Sequence, residues 1–274
     1  VMDLFPSKRI HIGGDEATKK AWADCPKCQQ RMKAEGLSNL DELQSYMIRR
    51  VEKFLVSKGR QLVGWDEIIE GGLAPEATVM SWRGIEGGIQ AAKEGHDVVM
   101  TPGNYMYFDF YQADPKTQPA AIGGFTPVKQ VYRYNPMPEV LTPEEGKHIL
   151  GVQANTWTEY MPNAKHVEYM VFPRLLALAE VAWTPQNLRE WSDFKPRVNN
   201  HVSLLKAKGV NAFTLSDDIE LTMSVDTLKK QINVVFDAEK YPAEIRYTTD
   251  GSTPTIASAL YTDTIVVTDS AYIK

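Results

Sequence analysis

A chain of 274 residues, 43% hydrophobic and 24% charged, has the composition of an ordinary globular protein and room for one large domain, or one large and one small. Its formal net charge of −5 and the lack of any Lys/Arg cluster argue against nucleic acid as a partner. No apolar run reaches the roughly 18 residues that a membrane-spanning helix needs.

The chain opens on Val1 rather than Met, without a signal peptide, and Val1 to Pro6 reads as the tail of a helix. A fragment of a longer protein is therefore expected, and its first residues say nothing of localisation. Arg9 to Gly13, with Ile10 and Ile12, reads as a short buried strand that Gly13 and Gly14 break. Two adjacent carboxylates, Asp15 and Glu16, follow where the chain leaves it. Burying two like charges side by side is costly unless something is bound beside them, so the pair is a site candidate.

A polar helix is expected from Thr18 to Glu35, closed by Gly36. The next is expected to start at Ser38 as N-cap, with Glu42 near the capping-box position. Leu43, Met47, Val51 and Leu55, spaced by fours, predict its buried face, and Gly59 ends it. Between the two cysteines, Cys25 and Cys28, only Pro26 and Lys27 intervene. No nearby His/Cys pair completes a zinc site, and no thioredoxin-like context supports redox work, so a helix start or a short disulfide is expected. His96, His148, His166 and His201 likewise show no metal-ligand spacing.

Four more strands are expected, near residues 61–64, 77–81, 97–101 and 149–154, with a weak helix from Gly87 to Lys93. Residues 112–143, rich in Pro and Gly, read as loop with a short helix at most, and two helices are expected near 164–182 and 188–208. Strands alternating with helices predict a parallel sheet. Each strand is followed by acidic or aromatic residues: Asp15 and Glu16, Trp65 and Asp66, Trp82, Tyr107 and Asp109, Trp157 and Glu159. A (β/α)8 barrel carries its site at such strand ends, whereas an open doubly wound sheet would be expected to show a Gly-rich phosphate loop. The expectation is an α/β barrel with strands missing upstream, about strands four to eight present, over residues 1–215. From about Ser216 the composition turns β-rich, with strands near 232–236, 244–248 and 264–268 and a turn at 249–252. Residues 216–274 are expected to be part of a small β-sandwich.

Three tryptophans past three separate strands are better explained as walls of a pocket than as core. Sugar rings suit such walls, their C–H faces packing on indole while Asp109 and Glu159 accept from hydroxyls. Glycosidases usually set two carboxylates about 5 Å or more apart across the bond, which two sequence neighbours fit poorly. A different division of labour is needed.

The stretch His11-Ile12-Gly13-Gly14-Asp15-Glu16 resembles the catalytic signature of glycoside hydrolase family 20, the β-N-acetylhexosaminidases. Gly64 to Glu67, Ser81 to Gly84, Tyr107 to Asp109 and Trp157 to Glu159 resemble its later motifs in the same order. Ile245 to Pro254 is similar to the β-sandwich that follows the barrel in many members. The resemblance implies retaining exo-hydrolysis of terminal β-linked GlcNAc or GalNAc, with no cofactor, the substrate's own acetamido oxygen attacking the anomeric carbon to give an oxazolinium intermediate. It implies Glu16 as acid and then base, Asp15 holding the acetamido N–H, and Tyr107 donating to the acetamido oxygen. Trp65, Trp82 and Trp157 would enclose the sugar, and Asp109 and Glu159 would bind hydroxyls. Asp66 and Glu67 are read as supporting. The acid role requires a raised Glu16 pKa, expected from burial and from Asp15. The resemblance also implies a secreted, periplasmic or cell-surface protein, and a partial barrel invites self-association. A disaccharide-releasing variant like the lacto-N-biosidases and a non-catalytic carbohydrate-binding fragment are the competing readings.

Overall fold

The computed structural model describes residues 1–274. Five short strands, β1 (Arg9–His11), β2 (Gln61–Trp65), β3 (Thr78–Ser81), β4 (Val98–Met100) and β5 (Ile149–Val152), form one parallel sheet. Each pairs with its sequence neighbour, with Ile10 opposite Leu62, Val79 opposite Gly64 and Val98, and Val99 opposite Gly151. Parallel neighbours require a crossover, and helices supply most of them. Helices α1 (Lys20–Ala23), α2 (Pro26–Glu35) and α3 (Leu40–Ser57) lie between β1 and β2, and α4 (Glu86–Lys93) between β3 and β4. Helices α5 (Gly103–Met106), α6 (Val128–Arg133) and α7 (Pro143–Gly146) precede β5, and α8 (Ala164–Val171), α9 (Arg174–Trp183) and α10 (Trp191–Ala207) follow it.

Side chains alternate across the strands. Leu62, Val79, Val98 and Met100 enter the main core with Ile48 of α3, Ala91 of α4, Val131 of α6 and Ala177 of α9. The alternate positions Val63, Trp65 and Met80 form a separate cluster with Trp82 and Val99 on the other face. That face borders a cleft of about 470 Å³ rather than a second helical layer. Helices on one face and a cleft on the other make a barrel wall, in contrast to a doubly wound sheet, which is covered on both. The fold is the (β/α)8 barrel class with five strands present.

Several expected boundaries shift, each for a local reason. The helix expected over 18–35 is two, because Pro26 carries no N–H and fits only the first turn of α2. Gly36 closes it in the left-handed region at φ 68°, as expected. Asn39, not Ser38, caps α3: its Oδ1 accepts from the Glu42 N–H at 2.9 Å, while Glu42 Oε2 accepts from the Ser38 N–H at 2.7 Å. The buried face of α3 is Gln44, Ser45, Ile48, Glu52 and Leu55, and Met47 is 55% exposed. Polar members hide that face from a hydrophobic count: Gln44 donates to the Gly14 carbonyl, and Glu52 accepts from the Glu76 N–H. The helix expected over 164–182 breaks at Pro173. Val1 to Phe5 form a hydrogen-bonded turn instead of a helix end. Cys25 and Cys28 are free thiols at the start of α2, so the disulfide alternative is not formed.

The β-rich region holds β6 (Ile219–Asp226), β7 (Gln231–Ala238), β8 (Arg246–Tyr247), β9 (Ala259–Leu260) and β10 (Ile265–Val267). They make a three-stranded antiparallel sheet, order β10-β7-β6, and a separate β8-β9 pair. Strand β6 was absent from the sequence reading, although Ile219, Leu221, Met223 and Val225 alternate with polar residues. Charge docks this unit on the helices: Lys129 of α6 pairs with Glu220 and Asp237, and Lys195 of α10 reaches Asp237 at 2.7 Å.

Glu239, at this junction, accepts from the Lys129 N–H at 3.2 Å, and its Oε2 has no partner. Burial pushes its carboxyl from 4.5 up to about 7. Between those values the folded state keeps a proton that the unfolded chain has released, so stability falls as pH rises through the window, by on the order of 3 kcal/mol in all. Glu239→Gln is expected to match the parent in urea unfolding below pH 4.5 and to exceed it by about that amount at pH 8. Equal stability of the two at pH 8 excludes this account.

Candidate active site

The exit from β1 is a packed turn. Gly13 and Gly14 take φ of 76° and 97°, a region in which side chains are strained. Gly13 donates its N–H to His11 Nδ1 at 3.0 Å and accepts from the Trp65 N–H at 2.9 Å. A Cβ on Gly14 would lie 2.5 Å from Ile68 Cγ2. The turn delivers Asp15 and Glu16 to the rim, Glu16 itself at φ 48°. Both carboxylates are exposed, so the burial expected for Glu16 is not present in this chain. His11 joins them from the strand end, its ring edge-on to Trp65 at 4.7 Å. Partial burial lowers its pKa, against the pull of Asp15, and Nδ1 as an acceptor places the ring proton on Nε2.

The aromatic residues form two pairs. Trp65, the last residue of β2, meets Trp157, past β5, with ring centroids 6.0 Å apart. Three strand spacings, about 14 Å, separate those backbones, so the indoles meet only because both project into the same cleft. Trp82, past β3, stacks on Tyr107, past β4, at 6.2 Å and 15°. Burial pushes the Tyr107 phenol up to about 12, which keeps it a proton-bearing donor. Asp109 is 3% exposed with Oδ1 unpartnered. Burial raises its pKa against backbone N–H donors and the charge of Arg174. Trp157 is 42% exposed and Glu159 lies exposed beside it, its charge also raising Asp109. The structure thus brings Trp65 to Trp157 and Trp82 to Tyr107, and leaves Asp15, Glu16 and Glu159 at the rim.

Residues 1–186 match the model of the glycosyl hydrolase family 20 catalytic domain, and residues 224–274 that of the chitobiase/beta-hexosaminidase C-terminal domain. The chain belongs to glycosyl hydrolase family 20. It is 45% identical over 264 residues to a beta-hexosaminidase of Porphyromonas gingivalis, covering 96% of this chain and 34% of that protein. Over 184 residues it is 40% identical to a beta-hexosaminidase of Vibrio furnissii, covering 65% of this chain and 30% of the relative. Among solved structures it superposes with TM-score 0.69 on the family 20 exo beta-N-acetylglucosaminidase of Vibrio harveyi in complex with N-acetylglucosamine. That pair is 34% identical, with 77% of this chain and 33% of the other covered. The chain therefore spans about a third of the length of these relatives.

In this family 20 chain the second carboxylate pair has a definite task. Asp66 Oδ2 accepts from the backbone N–H groups of Trp82 and Arg83 at 2.9 and 3.1 Å, and its Oδ1 accepts from Arg83 Nε at 2.6 Å. Glu67 Oε2 accepts from the Trp82 indole N–H at 2.8 Å. Both side chains are buried, and burial raises the Glu67 pKa. The pair fixes the plane of Trp82 and hence the ring that stacks on Tyr107. Asn155 was not singled out from sequence. Its backbone bonds Met106 and Phe108 on both sides of Tyr107, and its amide donates to Thr101 Oγ1 at 2.9 Å. A buried Asn three residues past a strand was the available signal.

Proposed function

We propose that the protein carrying this chain is a retaining exo-β-N-acetylhexosaminidase acting on terminal β-linked GlcNAc or GalNAc residues of glycans. The carrying observation is Tyr107, a half-buried phenol held protonated and stacked against Trp82, a donor suited to the carbonyl of an acetamido group. In this reading Glu16 gives its proton to the leaving oxygen as the substrate's acetamido oxygen bonds the anomeric carbon. Asp15 accepts from the acetamido N–H and stabilises the positive oxazolinium ring, while Tyr107 fixes the attacking oxygen. A nucleophile tethered within the substrate needs no second carboxylate across the bond, only orientation. Glu16 then takes a proton from the water that opens the ring, so two inversions leave the configuration unchanged. Trp65, Trp82 and Trp157 supply apolar walls, and Asp109 and Glu159 acceptors for hydroxyls. Residues 1–215 form the catalytic unit in this reading and residues 216–274 the accessory β unit. The open sheet edges at β1 and β5 support self-association of the isolated chain.

The test is substrate discrimination by the full-length protein. It is expected to cleave aryl β-N-acetylglucosaminides and leave the matching β-glucosides, which lack the internal nucleophile, uncleaved. Cleavage of both at similar rates overturns the assisted mechanism, and sugar binding without turnover favours the carbohydrate-binding alternative.

A further inference from the structure

Arg174, the first residue of α9, is 0% exposed and the largest fully buried side chain in the molecule. An arginine carries five N–H donors, and here all five are used. Nε donates to the Met170 carbonyl at 3.0 Å, and one terminal nitrogen to Phe110 at 2.9 Å and Thr126 at 3.1 Å. The other donates to the carbonyls of Phe108 and Met170. The guanidinium also lies 4.9 Å over the Phe108 ring. It forms no salt bridge: Asp109 and Glu239 are the carboxylates whose charge reaches it.

Burying an unpaired guanidinium is costly, and helix packing alone does not call for it. What the charge accomplishes is specific. The Phe108 and Phe110 carbonyls belong to the peptide groups after those residues, immediately before and just beyond Asp109. No strand ladder holds this stretch. On one side it is tied to Asn155 through the Phe108 N–H at 2.8 Å. On the other it is tied to Arg174. A neutral amide donates two hydrogen bonds and an ammonium three, without the planar fork, so neither replaces five fixed donors.

We propose that Arg174 is the positioning residue of the Tyr107–Asp109 loop, setting the direction of the phenol and the carboxylate by clamping the peptide groups around them. This rests on the reading that Tyr107 and Asp109 meet the substrate.

Arg174→Lys and Arg174→Gln in the full-length protein test the assignment by hydrogen exchange and kinetics together. Amide exchange in residues 107–112 is expected to rise about tenfold while β3 keeps its protection. On an aryl β-N-acetylglucosaminide, KM should rise and kcat fall, with kcat/KM down about 100-fold. Added to Tyr107→Phe, either substitution should cost less than the product of the two separate losses. Unchanged exchange in the loop, a uniform rise across the core, or failure of both variants to fold each overturn the proposal, because they assign Arg174 to general packing. Tyr107→Phe alone reports separately on the site: wild-type turnover by it removes the reading of Tyr107, while loop exchange still decides what Arg174 holds.

Discussion

Glu16→Gln in the full-length protein is expected to lower kcat on alkyl or poorly activated aryl β-N-acetylglucosaminides by about 10²- to 10⁴-fold, with little change in KM. Gln keeps the size and polarity but has no acidic proton to give. The loss is expected to shrink with a strongly acidic phenol as leaving group, which departs without protonation. Asp15→Asn separates the two neighbours. It weakens the hold on the acetamido N–H and the charge opposite the oxazolinium ring, so its loss should be similar for good and poor leaving groups. If both variants depend on the leaving group equally, the division of roles between Asp15 and Glu16 is wrong.

Gly14→Ala is expected to cost about 3 kcal/mol of stability, from left-handed strain of about 1–2 kcal/mol and an overlap of about 1–3 kcal/mol. The overlap is with Ile68 Cγ2, 2.5 Å from the added Cβ. Gly95→Ala is the control, with a comparable φ of +84° and nothing within 4 Å of the new carbon, and should cost about 1 kcal/mol. Urea unfolding of the two variants measures the difference. Equal costs show that the turn is not packed as described. A larger cost at Gly14 accompanied by lost turnover shows that Asp15 and Glu16 depend on the turn for their placement.

All five strands of the sheet were legible in the sequence because each is short, apolar and closed by glycine or by a change to polar residues. Their parallel pairing followed from alternation with helices. The aromatic pairs were legible as a set but not as pairs, since which indole meets which ring depends on how the sheet projects them into the cleft. Asn39 took the cap from Ser38 because both are good caps and only geometry separates them. The face of α3 was legible only in part: Leu55 is buried and Val51 packs on the core as expected, but Gln44 and Glu52 are buried to serve backbone groups, and a hydrophobic periodicity does not see that. The expected burial of Glu16 did not follow from its place at a strand end. Exposure is set by whatever packs opposite the rim, a property of distant chain. Arg174 left no mark in the sequence beyond a charged residue opening an apolar helix.

The high pKa of the Tyr107 phenol has a consequence for kinetics. With its ionisation pushed up to about 12, Tyr107 stays uncharged across the range in which such rates are measured, so the hydrogen bond proposed for it to the attacking oxygen does not switch off as the solution becomes basic. A falling alkaline limb in the kcat/KM profile then belongs to a group other than Tyr107. The limb should survive Tyr107→Phe at the same midpoint.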